Sequence, residues 1–148
     1  MSISQVRTYF NDRVQEVDAN LKAWDDAFNI DNVPESLIDT YYHVQYDNIA
    51  TSTNNDISFE DSVSVVVTLW KKGFRDPISA YDELNDQALC IRLNCLQPSK
   101  INATDNIKQV ESVSVISEPI EGSNDNIIRI SLAFNARLYF KITDFNLN

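Results

Sequence analysis

The stretch at residues 127–142 constrains the fold of this chain more than any other. All of its even positions are apolar, and most of its odd positions are polar. The apolar set comprises Ile128, Ile130, Leu132, Phe134, Ala136, Leu138, Phe140 and Ile142. Because side chains alternate between the two faces of a β-strand, this pattern predicts one long strand with a buried face. Burial stabilises by about 1.5–3 kcal/mol for each large apolar side chain, so we expect the other elements to cover the even face.

The predicted strand is longer than the diameter of a compact chain of this size. A straight strand of this length would span roughly 50 Å, whereas a compact chain of 148 residues is about 38 Å across. The alternation never slips, which argues against a single bulge. Two interpretations stay open: a coiled, strongly twisted strand, or a strand that reaches into a subunit interface.

The composition narrows the function classes. The chain has a net charge of −10, 43% hydrophobic residues, one His and two Gly. This suits one domain over residues 1–148, and it leaves little material for phosphate-binding loops or for His-centred catalytic and metal sites. We therefore expect no enzyme activity, no cofactor and no metal, and we interpret His43 as structural. The acidic balance and the lack of a long apolar run argue against a nucleic-acid or membrane binder and predict an intracellular protein.

The remaining patterns predict an α+β fold. We expect a mainly antiparallel four-stranded sheet with two helices on one face, in the order α-β-β-α-β-β. The first helix carries an apolar stripe from Ile3 to Phe28, either continuous or broken near residues 18–20. The second begins at Asp76-Pro77 and ends at Pro98. Its predicted buried stripe is Ile78, Tyr81, Leu84, Ala88, Ile91 and Cys95.

Three further strands complete this prediction. They cover residues 40–49, 63–70 and 107–116, and a slip of parity near Glu111 and Ser112 predicts a bulge in the last of them. A polar link at residues 100–106 precedes that strand.

Two polar segments are candidate functional surfaces. Residues 50–61 are rich in Asn, Ser and Thr, which predicts a long loop or a flared hairpin tip, either functional or simply mobile. Lys71, Lys72 and Arg75 form the densest positive cluster in the chain. Without a Gly-rich loop, three such cations are more typical of an intersubunit or surface patch than of a phosphate site.

The order of these elements resembles that of the tail terminator and tail-to-head joining proteins of long-tailed bacteriophages. The residues that carry the resemblance are the N-terminal helix, the Pro34 segment leading into YYHVQYDNI, the polar stretch before VSVVVTLWKKG, the helix DPISAYDEL and the closing ISLAFNARLYFKI. The resemblance implies a homo-oligomer, a hexameric ring, in the neck of a virion assembled in the host cytoplasm. Its partners would be the tail tube protein and the head completion or connector protein. DNA would pass through the lumen without specific binding, and the protein would bind no membrane.

On this resemblance, the segment at residues 50–61 would project toward the lumen or a neighbouring ring. Acidic residues there would supply negative charge, and the cationic cluster would pair with a neighbouring subunit. The implied interface or lumen residues are Asp47, Asn54, Asn55, Asp56, Phe59, Glu60, Asp61, Lys71, Lys72 and Arg75. The alternative function is a small acidic protein that acts as a monomer and inhibits a basic partner, as an immunity protein does.

Overall fold

The computed structural model describes residues 3–24, 40–54, 57–72, 76–120 and 127–141, with only the backbone at residues 52–54. The helices are α1 (Ser4–Val17), α2 (Pro77–Cys95) and α3 (Pro98–Asn102). The strands are β1 (Lys22–Ala23), β2 (Tyr41–Asn54), β3 (Ser58–Lys72), β4 (Ile107–Pro119) and β5 (Ile127–Lys141). The predicted α+β class and the order of the long elements are confirmed, but the described chain has five strands and three helices rather than four and two.

The sheet has the strand order β1-β2-β3-β5-β4. The four long strands pair antiparallel, whereas β1 pairs parallel with the start of β2, so the sheet is mixed. Because β1 has only two residues, no period of alternation could indicate it in the sequence.

The third helix corrects the prediction for the segment after α2. We expected Pro98 to end the long helix, but α2 ends at Cys95 and Pro98 opens the five-residue α3. A proline fits the first turn of a helix, where its missing N–H would have no partner. The polar link predicted for residues 100–106 is therefore partly helical.

The long strand β5 forms as predicted, although Ile142 lies outside the described residues. It pairs with β3 from Ile127 to Lys141 without any shift of register. Its even positions from Ile128 to Phe140 are buried, and most of its odd positions are half-buried. We call the side of the even positions the helix face and the opposite side the open face. Unbroken pairing fixes the same division in β3, whose odd positions lie on the helix face.

Two helices cover the helix face. The buried residues of α1 are Val6, Tyr9, Phe10 and Val14, and those of α2 are Ala80, Leu84, Ala88, Ile91 and Cys95. The ring of Phe10 lies 5.1 Å from that of Phe134, which joins α1 to β5. Ile78 was wrongly placed in the buried stripe, since 75% of its surface is exposed. It lies about 160° around the helix from Ala80, which takes the buried position in the first turn.

The prediction for residues 50–61 needs a correction in extent. The pairing of β2 with β3 continues to Asn54 and Phe59, so most of this segment is strand rather than loop. Backbone pairing with β3 stabilises the strand here in spite of its polar composition. Within this segment, residues 55 and 56 lie outside the described residues. The register of β2 shifts twice, between Tyr46 and Asn48 and between Thr51 and Thr53.

The bulge predicted in β4 is confirmed. The register against β5 shifts between Ser112 and Ser114, which leaves Val113 as the extra residue with 64% of its surface exposed. A second shift lies between Ile107 and Gln109. Within the described residues, no helix has the length and apolar content to cross a membrane.

Candidate functional site

The free end of the β2–β3 hairpin holds most of the predicted acidic surface. We define the hairpin end as residues 47–54 and 57–61. Asp47 lies at the first register shift and is exposed. Two apolar residues accompany it in solvent, Ile49 with 48% and Ile57 with 73% of their surface exposed. Asn54 pairs with Phe59 through the strands, whereas Asn55 and Asp56 lie outside the described residues.

Side chains brace the hairpin end on both faces of the sheet. On the helix face, the rings of Phe59 and Phe140 lie 5.1 Å apart. On the open face, Nζ of Lys108 donates to Oε1 of Glu60 over 2.7 Å. Glu60 is in register with Tyr139 of β5, so this ion pair passes over β5 and joins β3 to β4.

The ion pair between Lys108 and Glu60 offsets part of the negative charge that the sequence predicted at the hairpin end. The hydrogen bond from Lys108 holds the pKa of the Glu60 carboxyl below its usual range and neutralises its charge locally. The Asp61 carboxylate accepts a hydrogen bond of 2.9 Å from Oγ1 of Thr51. Of the described carboxylates at the hairpin end, Asp47 is the exposed one, whereas Glu60 and Asp61 are half-buried.

The predicted cationic cluster lies at the other end of β3. Lys71 and Glu60 are separated by roughly 36 Å at about 3.3 Å per residue, so the structure does not bring the two candidate groups together within one chain. Nζ of Lys71 lies 3.0 Å from Oε2 of Glu83 in α2, an intrachain pair that a neighbouring subunit would have to replace. Lys72 points to the open face opposite Ile127. Arg75 lies outside the described residues.

The outer strands are a feature that the sequence analysis missed. Among the described strands, β4 forms one edge of the sheet and pairs with β5 alone. At the other edge, β1 covers only Tyr41 and Tyr42, and no described strand pairs with the outer side of β2 beyond them. Unpaired edges of this length are templates for pairing with another chain. Hydrophobic patterning alone could not reveal them, since strand order depends on contacts between distant residues.

The open face of β3, β4 and β5 carries a charge balance that differs from that of the whole chain. Its cations are Lys72, Lys108, Arg129, Arg137 and Lys141, and its carboxylates are Glu60, Glu111 and Glu118. Arg129 donates to Glu118 over 2.6 Å. Across β3, β4 and β5, all of whose residues are described, cations thus outnumber carboxylates on the open face, although the chain has a net charge of −10.

His43 is buried beside β1. Only 6% of its surface is exposed, and its Nδ1 lies 2.7 Å from the carbonyl oxygen of Trp24. Since a carbonyl only accepts, Nδ1 donates, and this bond holds β1 against β2. In the described ranges, no three His, Cys, Asp or Glu side chains are grouped as metal ligands.

No protein-family model matches the sequence, and no curated protein matches it. Among solved structures, the fold is similar to that of a chain from the virion of a native gene transfer agent particle. The two are 11% identical with a TM-score of 0.50, and the match covers 91% of this chain and 95% of that chain. At this identity the likeness shows a shared fold alone.

A second match is the type 4 fimbrial biogenesis protein PilO from Pseudomonas aeruginosa. It is 10% identical, the match covers 66% of this chain and 57% of that chain, and the TM-score is 0.28. A TM-score this low supports no inference about the present chain.

Proposed function

We propose that this chain is a structural protein of a phage-like virion, in which six copies form a ring that ends the tail tube and joins it to the head connector. The observation that carries the proposal is the fold likeness to a chain of a gene transfer agent virion, which extends over nearly the full length of both chains. The sequence resemblance to tail terminators supports the same role. In this role the chain needs no catalytic residue, cofactor or metal.

The edges of the sheet support assembly into a ring. The free part of β2 and the outer side of β4 are different surfaces on opposite edges of the sheet. A contact between two different surfaces repeats from copy to copy and closes into a ring when the rotation between copies allows it. The sheet therefore offers each subunit one edge for each neighbour.

The hairpin end supports the same proposal. At about 3.3 Å per residue, β5 spans roughly 46 Å, more than the diameter of a compact chain of this size. β3 pairs with it along this whole length, so the hairpin extends with it. Exposed Ile49 and Ile57 give the hairpin end an apolar surface for a neighbouring subunit. The strong negative charge of the chain favours passage of DNA through the ring without retention.

Native mass spectrometry over a range of protein concentration and salt tests this proposal. We expect a hexamer for the unaltered chain, and we expect Ile57→Asp to shift it to smaller species. Ile78→Asp is the matched control, because Ile78 is equally exposed but lies on α2, away from the hairpin end. A monomer under all conditions would contradict the ring and favour the acidic inhibitor instead.

A further inference from the structure

Helix α2 is apolar on two opposite sides. Its inner side packs on the sheet through residues that include Leu84 and Ile91. Its outer side carries Ile78, Leu89 and Leu93, with 75%, 47% and 54% of their surfaces exposed. At 3.6 residues per turn, these three lie within an arc of about 60°, opposite the buried residues. Helices that only cover a sheet are polar on this side, so the outer stripe is available for a contact.

The unpaired charges that the structure describes around this stripe are negative. Asp82 lies within the same arc, Asp86 lies about 20° beyond its edge, and both are exposed. Arg92, a cation of the same helix, is turned aside and donates to Oγ of Ser112 in β4. Glu83 is held by Lys71. The outer side of α2 therefore combines exposed leucines with carboxylates that no cation of the described residues engages.

A groove continues the stripe at the C-terminal end of α2. Val17 of α1 and Cys90 and Leu93 of α2 form its apolar walls. Lys100 lies at its rim, and its ammonium group is engaged by Glu16 over 2.6 Å and by Asn94. The groove can accept an apolar side chain without placing a free cation against it.

We propose that the outer side of α2, with this groove, binds a basic amphipathic helix of a partner protein. The backbone groups of α2 are bonded within the helix, so recognition must come from side chains, and apolar residues at helical spacing match the stripe. Lysines or arginines beside them would meet Asp82 and Asp86. A second copy using the same side would set these carboxylates against each other, which disfavours a symmetric dimer. No residue of this surface belongs to the hairpin end or to an edge strand, although the flank of α2 contacts β4 through Arg92 and Asn85.

The test uses the full chain and a fluorescent synthetic peptide, a helix with leucines on one side and lysines on the other. Fluorescence anisotropy measures its affinity. We expect Leu89→Ser combined with Leu93→Ser to weaken binding at least tenfold. Val113→Ser combined with Ile116→Ser is the matched control, since these residues are similarly exposed on β4, and its affinity should stay within twofold. Asp82→Asn combined with Asp86→Asn should weaken binding severalfold and reduce its dependence on salt.

A second measurement leaves the chain unaltered. The same peptide with a photoreactive group should cross-link to α2 or to the end of α1, as mapped by mass spectrometry. Equal affinity of the leucine variant and its control, or cross-links spread over the acidic surface, would overturn the proposal. Either result would show that the peptide is attracted to the negative charge of the chain in general. Loss of the hexamer in the leucine variant would also overturn it, because the surface would then bind a second copy. Absence of a hexamer in the unaltered chain would instead contradict the proposed ring. The peptide proposal would then be decided by the anisotropy and cross-linking results alone.

Discussion

Substitutions at two neighbouring residues of β5 test the assignment of the sheet faces. Leu132 has no exposed surface and lies between Val67 and Val115 on the helix face. Leu132→Ala removes buried methyl groups and leaves a cavity, so we expect it to lower the free energy of unfolding by about 2–5 kcal/mol. Ser131 is half-buried on the open face, and we expect Ser131→Ala to change that free energy by no more than about 0.5 kcal/mol.

Urea denaturation followed by circular dichroism measures both changes. A domain of this kind is stable by about 5–15 kcal/mol, so Leu132→Ala should fold and give a clear shift of the midpoint. Leu132→Asp adds an unpaired buried charge and should prevent folding, whereas Ser131→Asp should fold. If the serine variants lose more stability than the leucine variants, the assignment of faces is wrong.

Three further predictions concern single side chains. The Tyr9 hydroxyl donates to the carbonyl of Cys95 over 2.6 Å, so Tyr9→Phe should cost about 1–3 kcal/mol in urea denaturation by leaving that buried oxygen unpaired. Burial raises the pKa of the Cys95 thiol to about 12 whereas Cys90 is exposed, so a disulfide-exchange reagent near neutral pH should modify one thiol in the folded chain and both after denaturation. The bond from Lys108 lowers the pKa of Glu60 on folding, so its contribution is present above the unfolded pKa of about 4.5 and is lost as pH falls through the folded pKa. The stability difference between the unaltered chain and Glu60→Gln should therefore shrink on acidification, as urea midpoints at each pH would show, and a difference that grows would contradict this sign.

Local patterns in the sequence were sufficient to predict the long elements. The alternation in β5 holds because one face is fully buried along its whole length. The parity slip near Glu111 and Ser112 predicted the bulge that the register shift places at Val113, since an extra residue changes from even to odd the positions that face the core. Asp76 is the N-cap of α2, as predicted, and its carboxylate accepts a hydrogen bond of 3.1 Å from the backbone N–H of Ser79.

Features that depend on distant contacts could not be predicted in this way. The polar strand at residues 50–54 is held by its pairing with β3, and α2 shows its second apolar side only once the position of the sheet is known. The same holds at the candidate site. The sequence indicated Glu60 and Lys71 as charges but could not show that Lys108 and Glu83 engage them, because those pairs join separate elements. The predictions for Asn55, Asp56 and Arg75 lie outside the described residues and stay predictions.

Immunogold electron microscopy of particles released by the host that encodes this chain tests the central proposal most directly. An antibody against the purified protein should place gold at the junction of head and tail, with label lost when the antibody is first absorbed with that protein. Particles without label, in preparations where the chain is detected only in the soluble fraction, would contradict a structural role in the virion.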